Sequence, residues 1–213
     1  MAVLDAAAEK GIPVFEGYGL TECGSVVAMN TPSAHRRGSV GRPLAHRRLR
    51  IGSSGEIEVG GGAFGHYAGE PPMAQDWLLT GDVGHVDAEG FLFIEGRHKN
   101  VLITGFGRNV SPEWPESLLC GAPAVMQAFV TGDGRPHLAA LLVPSWPGVS
   151  RGQLEAAVAA ANTQLPDYAR IGAFAVLPEP FSVSNRLATP NGRLRRALIA
   201  ERHAALVASL YEE

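Results

Sequence analysis

Glycine and proline interrupt the first hundred residues so often that no long element can run through them. Residues 2–9 are alanine-rich and read as a short helix stopped by Gly11. Ile12–Phe15 then predicts a strand, and Gly17–Gly19 a glycine-containing loop. Ser25–Met29 is a second short apolar run, and residues 30–46, with their prolines, glycines and arginines, read as surface loop. Arg48–Ile51 and Glu56–Val59 alternate around Gly52-Ser53-Ser54-Gly55, the pattern of a hairpin. Gly60–Gly62 with Gly65 reads as a loop after a strand, and Pro71–Pro72 as a further interruption. Phe91–Ile94 follows the turn Asp87–Gly90 and predicts another strand.

The second half is built differently. Val101–Thr104 predicts a strand ending at Gly105-Phe106-Gly107. Ser111-Pro112-Glu113 has the form of a helix cap followed by proline at the first helical position. Ala124–Thr131 and His137–Val143 flank Gly132-Asp133-Gly134-Arg135, a second hairpin. Residues 150–164 form an alanine-rich helix capped by Ser150, and Ile171–Leu177 a strand. Thr189-Pro190-Asn191-Gly192 is a turn, and residues 194–210 a terminal helix. Strands and helices mix without strict alternation, so the expected class is α+β.

Charge divides the chain. Residues 1–96 carry a net charge of −5 and residues 97–213 a net charge of +2, which sets an expected boundary near residue 97. The total of −3 argues against a nucleic-acid binder. No apolar run approaches the ~18 residues of a membrane span. Residues 1–10 lack a basic start leading into an apolar stretch, so no secretory signal is expected and the cytoplasm is the default compartment. Cys23 and Cys120 make neither a disulfide framework nor a CxxC motif, and the seven histidines show no ligand spacing. Cys23 reads as a small buried filler, and Trp77, Trp114 and Trp146 as local packing. Of the basic residues 16 are Arg and only 2 are Lys, Lys10 and Lys99, so a retained lysine is the more informative.

Six short motifs follow one another: GYGLTE at 17–22, GEIEV at 55–59, W-x-x-TGD at 77–82, a G-x-x-D-x-x-GF-x-x-x-x-GR-x-K series at 84–99, G-x-NVSPE at 107–113 and T-x-NG-x-LRR at 189–196. Singly each is weak; Thr80-Gly81-Asp82 alone reads as a turn. In this order they resemble the carboxy-terminal part of the AMP-forming acyl-CoA synthetases, of the adenylate-forming superfamily. The spacing from Arg97 to Pro112 and the phrase GRNVSPEW resemble the long-chain fatty-acid branch.

The resemblance implies a chemistry. A carboxylate is joined to the α-phosphate of ATP, pyrophosphate leaves, and a thiol, usually that of coenzyme A, displaces AMP. Charge on phosphate oxygens calls for cations and donors. By resemblance, Tyr18 lies against adenine, Gly19 permits close backbone approach, Thr21 bonds phosphate and Glu22 holds Mg²⁺, a hard cation that takes oxygen ligands. Asp82 accepts from the ribose hydroxyls, as an acceptor-only carboxylate suits a diol, and Arg97 forks onto ribose or phosphate oxygens. Lys99 is the hinge about which a mobile lid turns, and Gly105, Phe106 and Gly107 lie along the pantetheine path.

Two departures accompany the likeness. The Ser/Thr/Gly-rich phosphate loop and the subdomains holding most of the acyl pocket are absent from these 213 residues. The adenylation lysine of the terminal motif is replaced by Arg193, a bulkier planar cation. The expectation is therefore a β-rich, barrel-like subdomain over 1–96 and a mobile α+β lid over 97–213. It belongs to an ATP-dependent long-chain fatty-acid–CoA ligase that is inactive in adenylation alone. The alternatives are a non-catalytic remnant or nucleotide-binding module, and one subunit of a split ligase. Surface left bare by the missing subdomains is expected to favour a partner or self-association.

Overall fold

The computed structural model describes residues 2–61, 69 and 76–212, so the readings of Gly62, Gly65 and Pro71–Pro72 lie outside the described residues. The chain divides into two compact units, Met1–Lys99 and Asn100–Glu213, three residues beyond the change in charge.

The first unit opens with helix α1, Ala2–Glu9. Gly11, at φ +67°, ends it by donating to Ala8 O. The expected strand at Ile12–Phe15 does not form: among the described residues no strand pairs with it, and Ile12 and Phe15 remain 54% and 38% exposed. The strand begins instead where a loop was expected, at Gly17–Leu20 (β1), and is antiparallel to Ser25–Met29 (β2). Close approach is the reason: a Cβ at Gly19 would stand 1.6 Å from Ser25 O. Residues 30–46 are also more than loop. Arg42–Pro43 (β3) pairs with β2, and the side chains of Asn30 and Ser39 are buried and tie the segment together, Asn30 Nδ2 donating to Ser39 O at 2.7 Å.

The second sheet has the order β4-β5-β6-β7, with β4 Arg48–Ile51, β5 Glu56–Gly60, β6 Trp77–Val86 and β7 Leu92–Arg97. The β4–β5 hairpin has the expected register, Ile51 opposite Ile57 and Leu49 opposite Val59. Both sheets contribute to one apolar core containing Cys23, Val27, Ala28, Ile57, Val59, Leu78 and Leu92. Cys23 is thus the buried filler expected. Trp77 lies under the Arg48 and Arg50 guanidinium groups, whereas Trp114 and Trp146 are 39% and 45% exposed.

The second unit begins with a small hairpin, Leu102–Ile103 (β8) with Asn109–Val110 (β9), followed by helix α2, Glu113–Cys120. Ser111 does not cap this helix through its side chain: its hydroxyl donates to Glu113 Oε2 at 2.8 Å, and Pro112 already has helical angles. A three-stranded sheet follows, in the order β10-β11-β12: Val125–Thr131, Leu138–Pro144 and Ile171–Val176. The β10–β11 pair is antiparallel, while β11 and β12 run parallel around helix α3, Arg151–Asn162. Ser150 caps α3 in a reciprocal capping box with Gln153, and Leu154, Ala157, Val158 and Ala161 form its buried stripe.

β11 is buried on both faces. Leu138, Ala140 and Leu142 meet α2 and α3, and Leu141 and Val143 meet the C-terminal segment around Phe181, Leu187 and Ile199. The expected continuous terminal helix is two short ones, Arg196–Arg202 (α4) and Ala204–Ser209 (α5), parted at His203. It starts late because Leu194 bridges Ala188 and the Arg195 N–H donates to Leu187 O. No described helix is long and apolar enough to cross a membrane.

Candidate functional site

Local irregularity in β6 builds the first part of the site. Between the pairs Glu58–Leu79 and Glu56–Val83, the single residue Ile57 faces Thr80, Gly81 and Asp82. This wide bulge, with Gly81 at φ +72°, is held by three bonds. Thr80 Oγ1 donates to Ile57 O at 2.8 Å, Asp82 N to Thr80 Oγ1 at 3.1 Å, and Gly81 N to Glu56 Oε1 at 2.8 Å. Thr80-Gly81-Asp82 is thus part of a strand, not a free turn. Glu56, which the GEIEV motif contains without an assigned role, anchors the bulge; its alternation with buried Ile57 was the only signal of its direction.

The bulge delivers Asp82, which is 4% exposed, between two partners. Opposite it on β7, Arg97 donates from Nε to Oδ1 at 2.7 Å. From β1, the Tyr18 hydroxyl donates to Oδ2 at 2.6 Å. Burial, then the hydrogen bond to Asp82, raises the Tyr18 phenol well above its usual range, so it remains a donor. This contact joins residues 64 apart in sequence. Tyr18→Phe is expected to lower stability by about 1–2 kcal/mol, read as a smaller urea midpoint at unchanged slope; an unchanged midpoint would show the bond to be energetically idle.

Along β1 and the turn after it runs an open groove of about 700 Å³, lined by Gly17, Tyr18, Gly19, Leu20, Thr21, Gly24, Ser25, Val26 and Met29. Ser25 holds φ at 91°, a costly backbone state at the rim. Glu22 lies in the short 3₁₀ turn Thr21–Cys23, half-buried and not among the lining residues. Tyr18, Gly19, Thr21, Asp82 and Arg97 are thus grouped around this groove or the ion pair beside it. Lys99 is exposed in the 3₁₀ turn His98–Asn100.

The groove and the Asp82–Arg97 pair fit a nucleoside phosphate: there is a carboxylate for hydroxyl groups and a guanidinium for oxygens beside an open groove. Among the described residues no cluster of three His, Cys, Asp or Glu could hold a metal by itself. Glu22 fits Mg²⁺ only in the manner usual for that ion, one carboxylate with the remaining positions taken by phosphate and water.

The remaining predicted residues lie in the second unit, on two different loops. Gly105, Phe106 and Gly107 form the β8–β9 turn, with Phe106 75% exposed. That turn is braced by the next hairpin, Gly105 N donating to Arg135 O at 2.8 Å and Ile103 N to Asp133 Oδ1 at 2.8 Å. Arg193 is exposed in a loop closed by Thr189 N donating to Arg193 O at 2.9 Å and Arg193 N to Thr189 Oγ1 at 3.0 Å. The three arginines of this segment differ in their surroundings. Arg193 and Arg195 are exposed, but Arg196 is half-buried and paired with Glu116.

The family described as "AMP-binding enzyme C-terminal domain" matches residues 99–213. The long-chain-fatty-acid–CoA ligase FadD15 of Mycobacterium bovis is 32% identical over 232 residues, covering 95% of this chain and 39% of that protein. The anthranilate CoA ligase AuaEII, solved with anthranoyl-AMP, superposes with a TM-score of 0.77 at 25% identity over 98% of this chain and 43% of that one. O-succinylbenzoate coenzyme A synthetase from Bacillus subtilis, solved with ATP and magnesium ion, gives 0.68 at 32% identity over 86% and 42%. The chain spans about two fifths of the length of these relatives. It belongs to the AMP-binding enzymes of the adenylate-forming superfamily, of which it represents a C-terminal part.

Proposed function

We propose that the chain is the nucleotide-closing portion of an ATP-dependent carboxylate–CoA ligase and that it needs an upstream part, in the same polypeptide or as a separate subunit, to adenylate. The observation that carries this reading is the Tyr18–Asp82–Arg97 constellation beside the groove of the GYGLT segment. Asp82 receives the ribose hydroxyls, Tyr18 the base and Arg97 ribose or phosphate oxygens. Thr21 bonds phosphate, and Gly19 permits the close backbone approach. Glu22 would hold Mg²⁺, which when bound supplies charge neutralisation at the phosphates.

Residues 1–96 serve as the last subdomain of the large domain and residues 97–213 as the lid, with Lys99 at the hinge. Gly105, Phe106 and Gly107 line the path of the coenzyme A arm, and Arg193 is the cation for the adenylation step. Long-chain fatty acids are the proposed acyl class, supported by the Arg97–Pro112 spacing and by similarity to FadD15; the similarity to the O-succinylbenzoate enzyme favours a broader range of carboxylates. The cytoplasm, where ATP and coenzyme A are present, is the proposed site of action.

The purified 213-residue chain is expected to give no carboxylate-dependent ATP–pyrophosphate exchange above an Asp82→Ala control. Exchange well above that control would overturn the requirement for an upstream part.

A further inference from the structure

A buried ion pair stands behind the loop that bears Arg193. Glu116 of α2 accepts from the Val130 N–H of β10 at 2.7 Å and from Arg196 Nη1 at 2.7 Å. The other Arg196 terminal nitrogen donates to Val130 O, and the guanidinium covers the Phe129 ring at 4.7 Å. The two side chains are 12% and 17% exposed, so water screens the pair little. Arg196 therefore fastens the start of α4 to both α2 and the sheet. Three residues earlier lies Arg193, in a loop whose remaining fastenings are mostly local: the Ala188–Leu194 bridge, the Thr189–Arg193 bonds and Arg195 N to Leu187 O. Leu194 adds packing against the apolar cluster of Phe129 and Leu141.

We propose that Glu116 is a positioning residue for Arg193, acting through Arg196: the carboxylate locks α4 to α2 and β10 and so sets where the 189–193 loop presents its cation. This rests on the proposed role of Arg193 and adds how that cation is aimed. The loop's local bonds hold its shape, whereas the Glu116–Arg196 pair ties its base to α2 through charge.

The pair carries a recognisable pH signature. Burial pushes the Glu116 carboxyl up to about 7, against the pull of Arg196 and of the Val130 N–H. The charged and titratable groups that bear on it are Arg196 from α4 and, on its own helix, Glu113 and Cys120; β10 presents only backbone. The ionised carboxylate grips the guanidinium more strongly than the neutral acid, so the clamp tightens as pH rises through about 7. Global stability moves oppositely. Between the ordinary 4.5 and about 7 the folded chain holds a proton that the unfolded chain has lost, so the contribution of this group falls as pH rises through that window.

Hydrogen exchange of the full chain separates the two. In the wild type, protection factors at Arg193 and Arg195, corrected for intrinsic rates, are expected to rise several-fold between about pH 6 and 8, while protection at Leu141 in β11 does not rise. Glu116→Gln is expected to abolish that rise and to leave the loop about tenfold less protected at the upper pH, a change of ~1.4 kcal/mol. Arg196→Gln, which removes the cation that the ionised carboxylate grips, should do the same if Glu116→Gln does not fold. Protection in the variants that matches the wild type, or that falls equally at Leu141, would overturn the positioning role. No turnover is read, so an inert Arg193 would show separately, as undiminished adenylation by Arg193→Ala in an assembled ligase.

Discussion

Asp82→Asn is expected to weaken AMP binding by about ten- to a hundred-fold in calorimetry, the loss of ~1.5–3 kcal/mol that accompanies removal of a hydrogen bond to a charged group. Asp82 is 4% exposed and already receives Tyr18 Oη and Arg97 Nε, which orient both oxygens. A carboxylate has lone pairs to spare after two such bonds and can still accept from a diol. Asparagine keeps one acceptor, turns an NH₂ toward one of two donors, and removes the charge that holds Arg97 in place. The side chain of Arg97 is 35% exposed and can turn to water, so the substitution should affect affinity more than folding. Equal affinity in a folded Asp82→Asn chain would remove the ribose role and with it the main support for nucleotide binding at this groove.

Arg193→Ala is expected to slow adenylate formation by at least about tenfold, ~1.4 kcal/mol of barrier, once an upstream part restores the phosphate loop and acyl pocket. The expected effect is large because a cation meeting both the carboxylate and the α-phosphate acts where charge builds in the transition state. Arg193 is suited to this by exposure and by a closed loop next to Gly192, which has φ +79°. Arg193→Lys is the informative companion. If the wild type and the lysine variant are both active and the alanine variant is not, a guanidinium serves in place of an ammonium. If only the lysine variant is active, the chain derives from a ligase that has lost its first step. Alanine and wild type of equal activity would exclude Arg193 as the cation.

Much of this was legible where a feature is local. The 48–60 hairpin follows from alternation around a glycine turn, and α3 from a cap and an apolar stripe. The GYGLTE segment stands out as a motif, and its first five residues line the groove. β1 was missed because two glycines read as a loop, although the strand needs them so that its backbone can lie against Ser25. Ile12–Phe15 shows the opposite failure: strand propensity is present, but among the described residues no neighbouring strand pairs with it. The bonds that make the sites were not legible, since Tyr18 and Asp82 are 64 residues apart and Glu116 and Arg196 are 80 apart, and no periodicity encodes either pairing.

The bulge in β6 also bears on how such a chain can vary. Because Ile57 alone faces three residues, the ladder on one side of the bulge is not counted in step with the ladder on the other. Substitutions or small slips around Leu79, which is 56% exposed, can be absorbed there without rotating the strand beyond it. The address of Asp82 is written relative to β7, through its pairing with Arg97, and not relative to the start of its own strand. Sequence drift upstream of Thr80 is thereby insulated from the carboxylate, and a second irregularity, Glu95 standing unpaired between the pairs Val83–Gly96 and Gly84–Ile94, sets the Asp82–Arg97 pair apart from the rest of the β7 ladder in the same way.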